Sequence, residues 1–334
     1  MKNPTFLRIS LAALYPIVIL AGCSTGAGTP GLSSLSAPLS LRPPARAPVH
    51  PLPRGSGWIS PRAKRCSQKL FVSSYWLDYV SIYCAEKGRH NQPPIGEITD
   101  GISGPEGEVT DAKGNLYVAN THGGTVTEYA RGSTSVSFTY SADLSSPAGV
   151  AVDAKQNVYV ANPTFGTVTV FPQHSNSPSS TISGIPYPID VALDSAGNVY
   201  VTSFTSTFSN GEVLEFGPGS AHGKNLGIVT LTPGGISLDT SADIVTADQR
   251  LPGVLVFPPG MTSPSKTFAQ NMNDPVPVRF NHSESLIFVG DSVENDVEVY
   301  SYPAGSLADT ITDGIDGPEG LAVEPAPPLS PRSW

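Results

Sequence analysis

A chain of 334 residues with 33 Pro and 33 Gly and few charges has room for one large domain or two ordinary ones, and it favours short strands joined by turns over helices. Eight Lys/Arg and no Asp or Glu precede position 66, whereas ten Lys/Arg face twenty-eight Asp/Glu from 66 to 324, a net of −18 (10 − 28). So acidic a body argues against a surface that tracks phosphates, and nucleic acid is not an expected partner.

The chain starts with an address. Lys2 and Arg8 form a positive region ahead of "LAALYPIVIL", an apolar run interrupted by Pro16 and shorter than the roughly 20 residues of a bilayer span. It ends in "LAGCS", Leu20 to Ser24, which resembles the lipobox of bacterial lipoproteins. That resemblance implies a signal peptide over 1–22, cleavage before Cys23, and acylation of Cys23 with chains such as palmitate. The expected location is a bacterial cell envelope, lipid-anchored and facing an extracytoplasmic compartment. Residues 23–65, rich in Ser, Pro and Arg, lack a periodic apolar pattern and read as a disordered tether. The basic residues Arg42, Arg46, Arg54, Arg62, Lys64 and Arg65 give it either solubility or a hold on anionic lipid.

From there the chain repeats itself. The units "GEVTDAKGNLYVAN", "GVAVDAKQNVYVAN", "DVALDSAGNVYVTS", "GISLDTSADIVTAD" and "PVRFNHSESLIFVG" place markers at Asp111, Asp153, Asp194, Asp239 and Asn281, with a sixth at Glu324. The spacings are 42, 41, 45, 42 and 43 residues. Each full unit continues with two further short runs, such as "GTVTVF" and "STISGI", so four strands recur about every 43 residues, the signature of a propeller blade. The ends are complementary. "LFVSSYWLDYVSIYC" and "GEITDGI" supply strands two to four with no first strand, and "GPEGLAVEP" is a first strand with nothing after it. Joined, they make a sixth, composite blade. The expectation is an all-β, six-bladed β-propeller over 66–324, closed by its C-terminal strand, with a Pro-rich tail at 325–334.

"SPAGVAVDAKQNVYVAN", Ser146 to Asn162, resembles the repeat of the NHL family of six-bladed propellers almost in full; two other units are close and the last two whole ones are degenerate. The resemblance covers about 66 to 324. It implies an interaction platform, the commonest role in that family, although some relatives of the architecture are metal-dependent hydrolases or lyases.

Hairpin alternation puts the connections from strand two to three, and from strand four to the next strand one, on a common face, here called the top. Among the histidines only His122 falls there, the weak candidate for a catalytic base. "GPEG" occurs at Gly104–Gly107 and Gly317–Gly320, in blades that ring closure makes neighbours, so Glu106 and Glu319 should meet at the channel mouth. Two carboxylates there are candidate ligands for calcium, which takes six to eight oxygens; otherwise the motif is a turn sequence used twice. Calcium-dependent lactonases of similar architecture build a site at that mouth, but here the equivalent positions Ala148, Ile189, Gly234 and Val276 offer no oxygen side chains.

The top loops carry the stronger signal: Tyr75, Trp76, Phe165, Phe204, Phe208 and Arg250 are the candidate binding residues, with interblade bracing as the competing reading. Cys66 and Cys84, the thiols left once Cys23 is acylated, are expected to form a disulfide in an oxidising compartment, although hairpin register leaves them about three residues out of line. The sequence thus points to an anchored, non-enzymatic platform for a protein, peptide or glycan. The alternatives are a metal-dependent hydrolase or lyase using Glu106, Glu319 and His122, and a purely structural envelope component.

Overall fold

A computed structural model describes residues 57–85, 92–251, 253–326 and 329. The expected signal peptide, Cys23 and the expected tether up to 56 lie outside the described residues.

Six antiparallel sheets form the six blades of a β-propeller. The first whole blade runs Pro105–Thr110, Leu116–Asn120, Thr125–Tyr129 and Val136–Tyr140, and four more follow in the same up-and-down order. In the composite blade, Leu321–Glu324 takes the innermost place and pairs with Lys69–Ser74 in the register Lys69↔Glu324 to Val72↔Leu321. Tyr79–Cys84 and Gly96–Ile98 complete the four strands. The closure read from the sequence is therefore the closure observed.

Alternation explains how both faces of each blade are buried. Along Leu116–Asn120, Leu116 and Val118 join one apolar cluster with the composite blade, while Tyr117 and Ala119 join another with the second blade. Six such clusters fill the six blade interfaces, so a strand's odd and even residues serve different neighbours.

The repeated marker aspartate closes the turn after strand one. Asp111 Oδ1 accepts the backbone N–H groups of Lys113 (2.8 Å) and Asn115 (2.9 Å), and Oδ2 accepts Asn115 Nδ2–H (2.9 Å). Asp153 and Asp194 repeat this arrangement with Asn157 and Asn198. The last signature residue works on the other face, where Asn120 Oδ1 accepts Ser103 N–H and Asn162 Oδ1 accepts Ser145 N–H, pinning the connection that enters strand one. In the degenerate blades Asp248 and Asp291 take over the same duty with several N–H groups each. The motif is thus a set of loop clamps.

The folded unit starts earlier than position 66. Trp58–Ile59, read as tether, forms a fifth, outermost strand on Gly96–Ile98, with Trp58↔Glu97 and Ile59↔Gly96. A 3₁₀ turn, Pro61–Arg65, follows; Ser60 Oγ accepts Arg62 N–H, and Ala63 is buried. This turn supplies the bend that brings Cys66 back to Cys84, which sits opposite Lys69, and the two cysteines form a disulfide with their Cα atoms 5.4 Å apart. At the other end the described tail residues also touch the ring. His282 Nδ1 lies 2.7 Å from the Ala326 carbonyl oxygen, and Leu329 packs on the cluster between the second and third blades.

Candidate functional site

The first strand of each blade lines the axial channel, and its N-terminal end opens at the top. Glu106 and Glu319 do meet there, as the ring closure required, both half-buried on a narrow space of about 20 Å³ shared with Ala148, Ile189, Asp190 and Val276. That space holds about one water-sized species. Thr121 Oγ1 lies 2.5 Å from Glu106 Oε2.

Burial pushes the Glu106 carboxyl up to about 7, with the Thr121 hydroxyl pulling it back and Asp190 adding repulsion. Glu319 is raised well above the ordinary range by burial, and then by the charges of Glu106 and Asp274. Both acids are thus biased toward their protonated forms. Among the described residues no group of three or more His, Cys, Asp and Glu side chains has the arrangement of a metal site.

The glycines of "GPEG" have their own reason. Gly104 and Gly317 both sit at φ +58°, and a Cβ on them would strike the His122 and Trp76 rings respectively. A Cβ on Gly107 or Gly320 would run into the neighbouring inner strand, at Ala148 O and Glu106 O. The motif therefore recurs in the two blades whose top rings fold over the strand entry, and its glycines let inner strands approach.

Deeper in the channel lies a cluster that the sequence reading missed. Arg279 Nη1 donates to Asp190 Oδ2 at 3.0 Å and to the carbonyls of Ile236 and Val278. Asp190 also accepts the N–H groups of Val191 and Ile236. Beside them Glu108 is 0% exposed, and neither carboxylate oxygen has a hydrogen-bond partner among the described residues. Burial drives it up to about 8, the Arg279 charge offsetting part of that rise. A signal was available: "GEVT", "IDVA" and "VRF" each put a charge in a first strand where "GVAV" has none.

His122 stands apart from these acids. Its Nε2 lies 3.0 Å from Tyr75 Oη, and the ring leans on Gly104. Tyr75 in turn makes an edge contact with Trp76, with ring centroids 4.9 Å apart. This tyrosine–histidine pair ties the composite blade's top loop to that of the first blade.

The other candidates divide. Trp76 (53% exposed), Phe165 and Phe208 present their rings to solvent, and Arg250 is exposed beside Leu251. Phe204 does not. It is the last residue of the strand Val199–Phe204, only 6% exposed, and is covered by Tyr187 and Phe208 at centroid distances of 6.1 and 5.8 Å. The hairpin of the third blade runs one residue further than in the first two, pairing Phe204 with Gly211, so its ring stays in the sheet. Phe204 is a brace, and Phe208 is the exposed ring it supports. Leu77 and Val293, which aliphatic size alone did not flag, are exposed on equivalent loops.

Nine large hydrophobic residues are strongly exposed among the described residues, and six of them (Trp76, Leu77, Phe165, Phe208, Leu251 and Val293) lie on strand-two-to-three loops. Five of the six blades contribute, and the remaining blade contributes His122. The top face therefore carries a broken apolar circle around an acidic channel mouth.

No family description and no curated protein matches the chain. Solved structures do. A chain from a structure titled "Crystal structure of Nidogen/Laminin Complex" is similar with a TM-score of 0.63 at 14% identity, over 77% of this chain and 97% of that one. A functionally unknown protein from Desulfotomaculum acetoxidans DSM 771 is similar with a TM-score of 0.55 at 13% identity, over 78% of this chain and all (100%) of its own. At such identities the likeness carries the propeller fold alone.

Proposed function

We propose that this chain is an exported, lipid-anchored protein whose NHL-like propeller serves as a binding platform for a protein, peptide or glycan through its top face. The observation that carries this reading is the apolar circle: loop tips are ordinarily polar, and here two thirds of the strongly exposed large hydrophobics share one face. Rigid hairpins hold the rings, and Phe204 and the Tyr75–His122 pair brace them, so little ordering is lost when a partner docks. The apolar tips favour a polypeptide partner over a glycan, with Arg250 as an added polar anchor.

The test uses photo-crosslinking residues placed at Trp76, Phe165 and Phe208 in cells, with Val229 and Leu307, equally exposed but on outer strands, as controls. The top positions should capture a shared partner set that the controls miss. Trp76→Ala and Phe208→Ala should weaken that capture by about 1–2 kcal/mol each with small change in melting temperature. Phe204→Ala should instead destabilise the domain by roughly 3 kcal/mol, because it empties a covered site. Identical capture from top and control positions would refute the platform.

Anchoring is tested separately. Cys23→Ser should move the protein from the membrane to the soluble fraction, since basic residues near a lipid surface contribute only about 1 kcal/mol each and are screened by salt. Retention of that variant in membranes washed with high salt would rule out the acyl anchor.

A further inference from the structure

The lower face holds a cavity whose electrostatics run against those of the chain. It opens where the composite blade meets the first blade, with a volume of about 320 Å³ and walls that include Ile59, Phe71, Ile82, Leu116 and Tyr129. Its charged lining is Lys64, Lys69 and Arg131 against a single acid, Glu324, a local balance of +2 (3 − 1). From 57 to 324 the chain has thirteen Lys/Arg to twenty-eight acids. In the channel-mouth space and in two further cavities, acids outnumber Lys/Arg.

The single acid is already committed. Glu324, with a side chain 1% exposed, pairs with Lys69 Nζ at 2.8 Å and with Arg131 Nε. Lys64 has no ion-pair partner among the described residues, and the Arg131 side chain, which also lines the cavity, is mostly solvent-exposed. The outer wall is the segment Trp58–Arg65, held over the blade edge by strand pairing at one end and by the Cys66–Cys84 disulfide at the other. An apolar chamber with surplus positive charge at its rim suits a ligand with an apolar body and one anionic end. A neutral oil would leave the cations unused, and a bare anion would leave the walls wet. The volume, at the small end of ligand cavities, admits one chain.

We propose that this cavity is a binding site for a single-chain amphipathic carboxylate, of the medium-chain fatty acid class, with its tail against Ile59, Phe71 and Leu116 and its carboxylate between Lys64 and Arg131. The site lies on the face opposite the platform and stands independently of it. Titration calorimetry of the disulfide-bonded propeller with decanoate, below its micelle concentration, tests the assignment, with decanol and decyltrimethylammonium as the neutral and cationic counterparts. Decanoate should bind at one site and weaken as salt rises, and both counterparts should bind at least about tenfold more weakly, or 1.4 kcal/mol. The double change Lys64→Gln with Arg131→Gln should erase the preference for decanoate while leaving decanol binding unchanged. Because both side chains are exposed, that variant should retain its fold, checked by circular dichroism. Ala63→Leu, which fills the wall, should lower binding of all three probes. Equal affinity for decanoate and decanol, an unchanged double variant, or no decanoate binding would each overturn the proposal.

Discussion

Deleting residues 317–334 should abolish the folded ring. The deletion removes Leu321–Glu324, the innermost strand of the composite blade, in which Leu321, Ala322 and Val323 are all at most 3% exposed. Burial of Leu321 and Val323 alone contributes roughly 3–6 kcal/mol. The loss would also strand the ladder groups of Lys69–Val72 and remove the Val323 carbonyl that accepts the Thr110 hydroxyl. Lys69 and Arg131 would lose Glu324, and Ser73 Oγ would lose the Gly320 N–H it accepts at 2.6 Å. These losses together match the 5–15 kcal/mol by which a domain is stable, so the product should be unfolded or aggregated, with an open strand edge. Ending the chain after Ala326 is the control. It removes the contact of Leu329 with the cluster between the second and third blades and should cost only about 1–2 kcal/mol. Size-exclusion chromatography and thermal melts of the two truncations check both. A monomeric, cooperatively melting 1–316 chain would contradict closure through the C-terminal strand.

That closure was legible because it depends on a count. Six markers at near-equal spacing and two complementary half-blades leave little choice of ring. The turn residues were legible for a similar reason: Asp111, Asp153 and Asp194 act within five residues of themselves. What escaped depends on contacts between distant segments. Trp58–Ile59 joins the sheet through backbone pairing over two residues, too short for any period-two pattern. Phe204 sits one position past the repeated "YVTS" run, where in the first two blades the loop has begun, and only the rings of Tyr187 and Phe208 keep it inside. The "GPEG" carboxylates drew attention as metal ligands, whereas the same motif's glycines meet His122, Trp76 and the neighbouring strand in ways only the folded ring reveals. Arg279, Asp190 and Glu108 come from three blades, and no local spacing brings them together.

The buried acids of the channel should make the propeller less stable as pH rises, and replacing Glu108 should remove much of that loss. Glu108 is raised from 4.5 to about 8, first by burial and against the opposing pull of Arg279. Glu106 is raised to about 7 and Glu319 is raised as well, and outside the channel Asp274 and Asp296 are raised too, all chiefly by burial. Between the unfolded and folded values the native state holds more protons than the unfolded chain, so stability falls with pH across that window. Below about pH 4.5 the carboxyls are protonated in both states and the penalty vanishes; above about pH 8 it is complete. At 1.4 kcal/mol per pH unit, the Glu108 share is at most roughly 5 kcal/mol. Asp190 already pairs with Arg279, so neutralising Glu108 does not orphan the guanidinium. Glu108→Met removes the unpartnered oxygens at similar volume, and Glu108→Gln keeps the shape without the charge. Both should melt close to wild type at pH 4.5 and higher at pH 8.5, by roughly 5–10 °C for a domain of this size. Melting curves every half unit across that range decide the matter, because packing and charge leave different traces. A gap between variant and wild type that stays constant with pH would assign the effect to packing, and a wild type whose melting temperature rises from pH 5 to 8 would remove the buried charge as a cost to this fold.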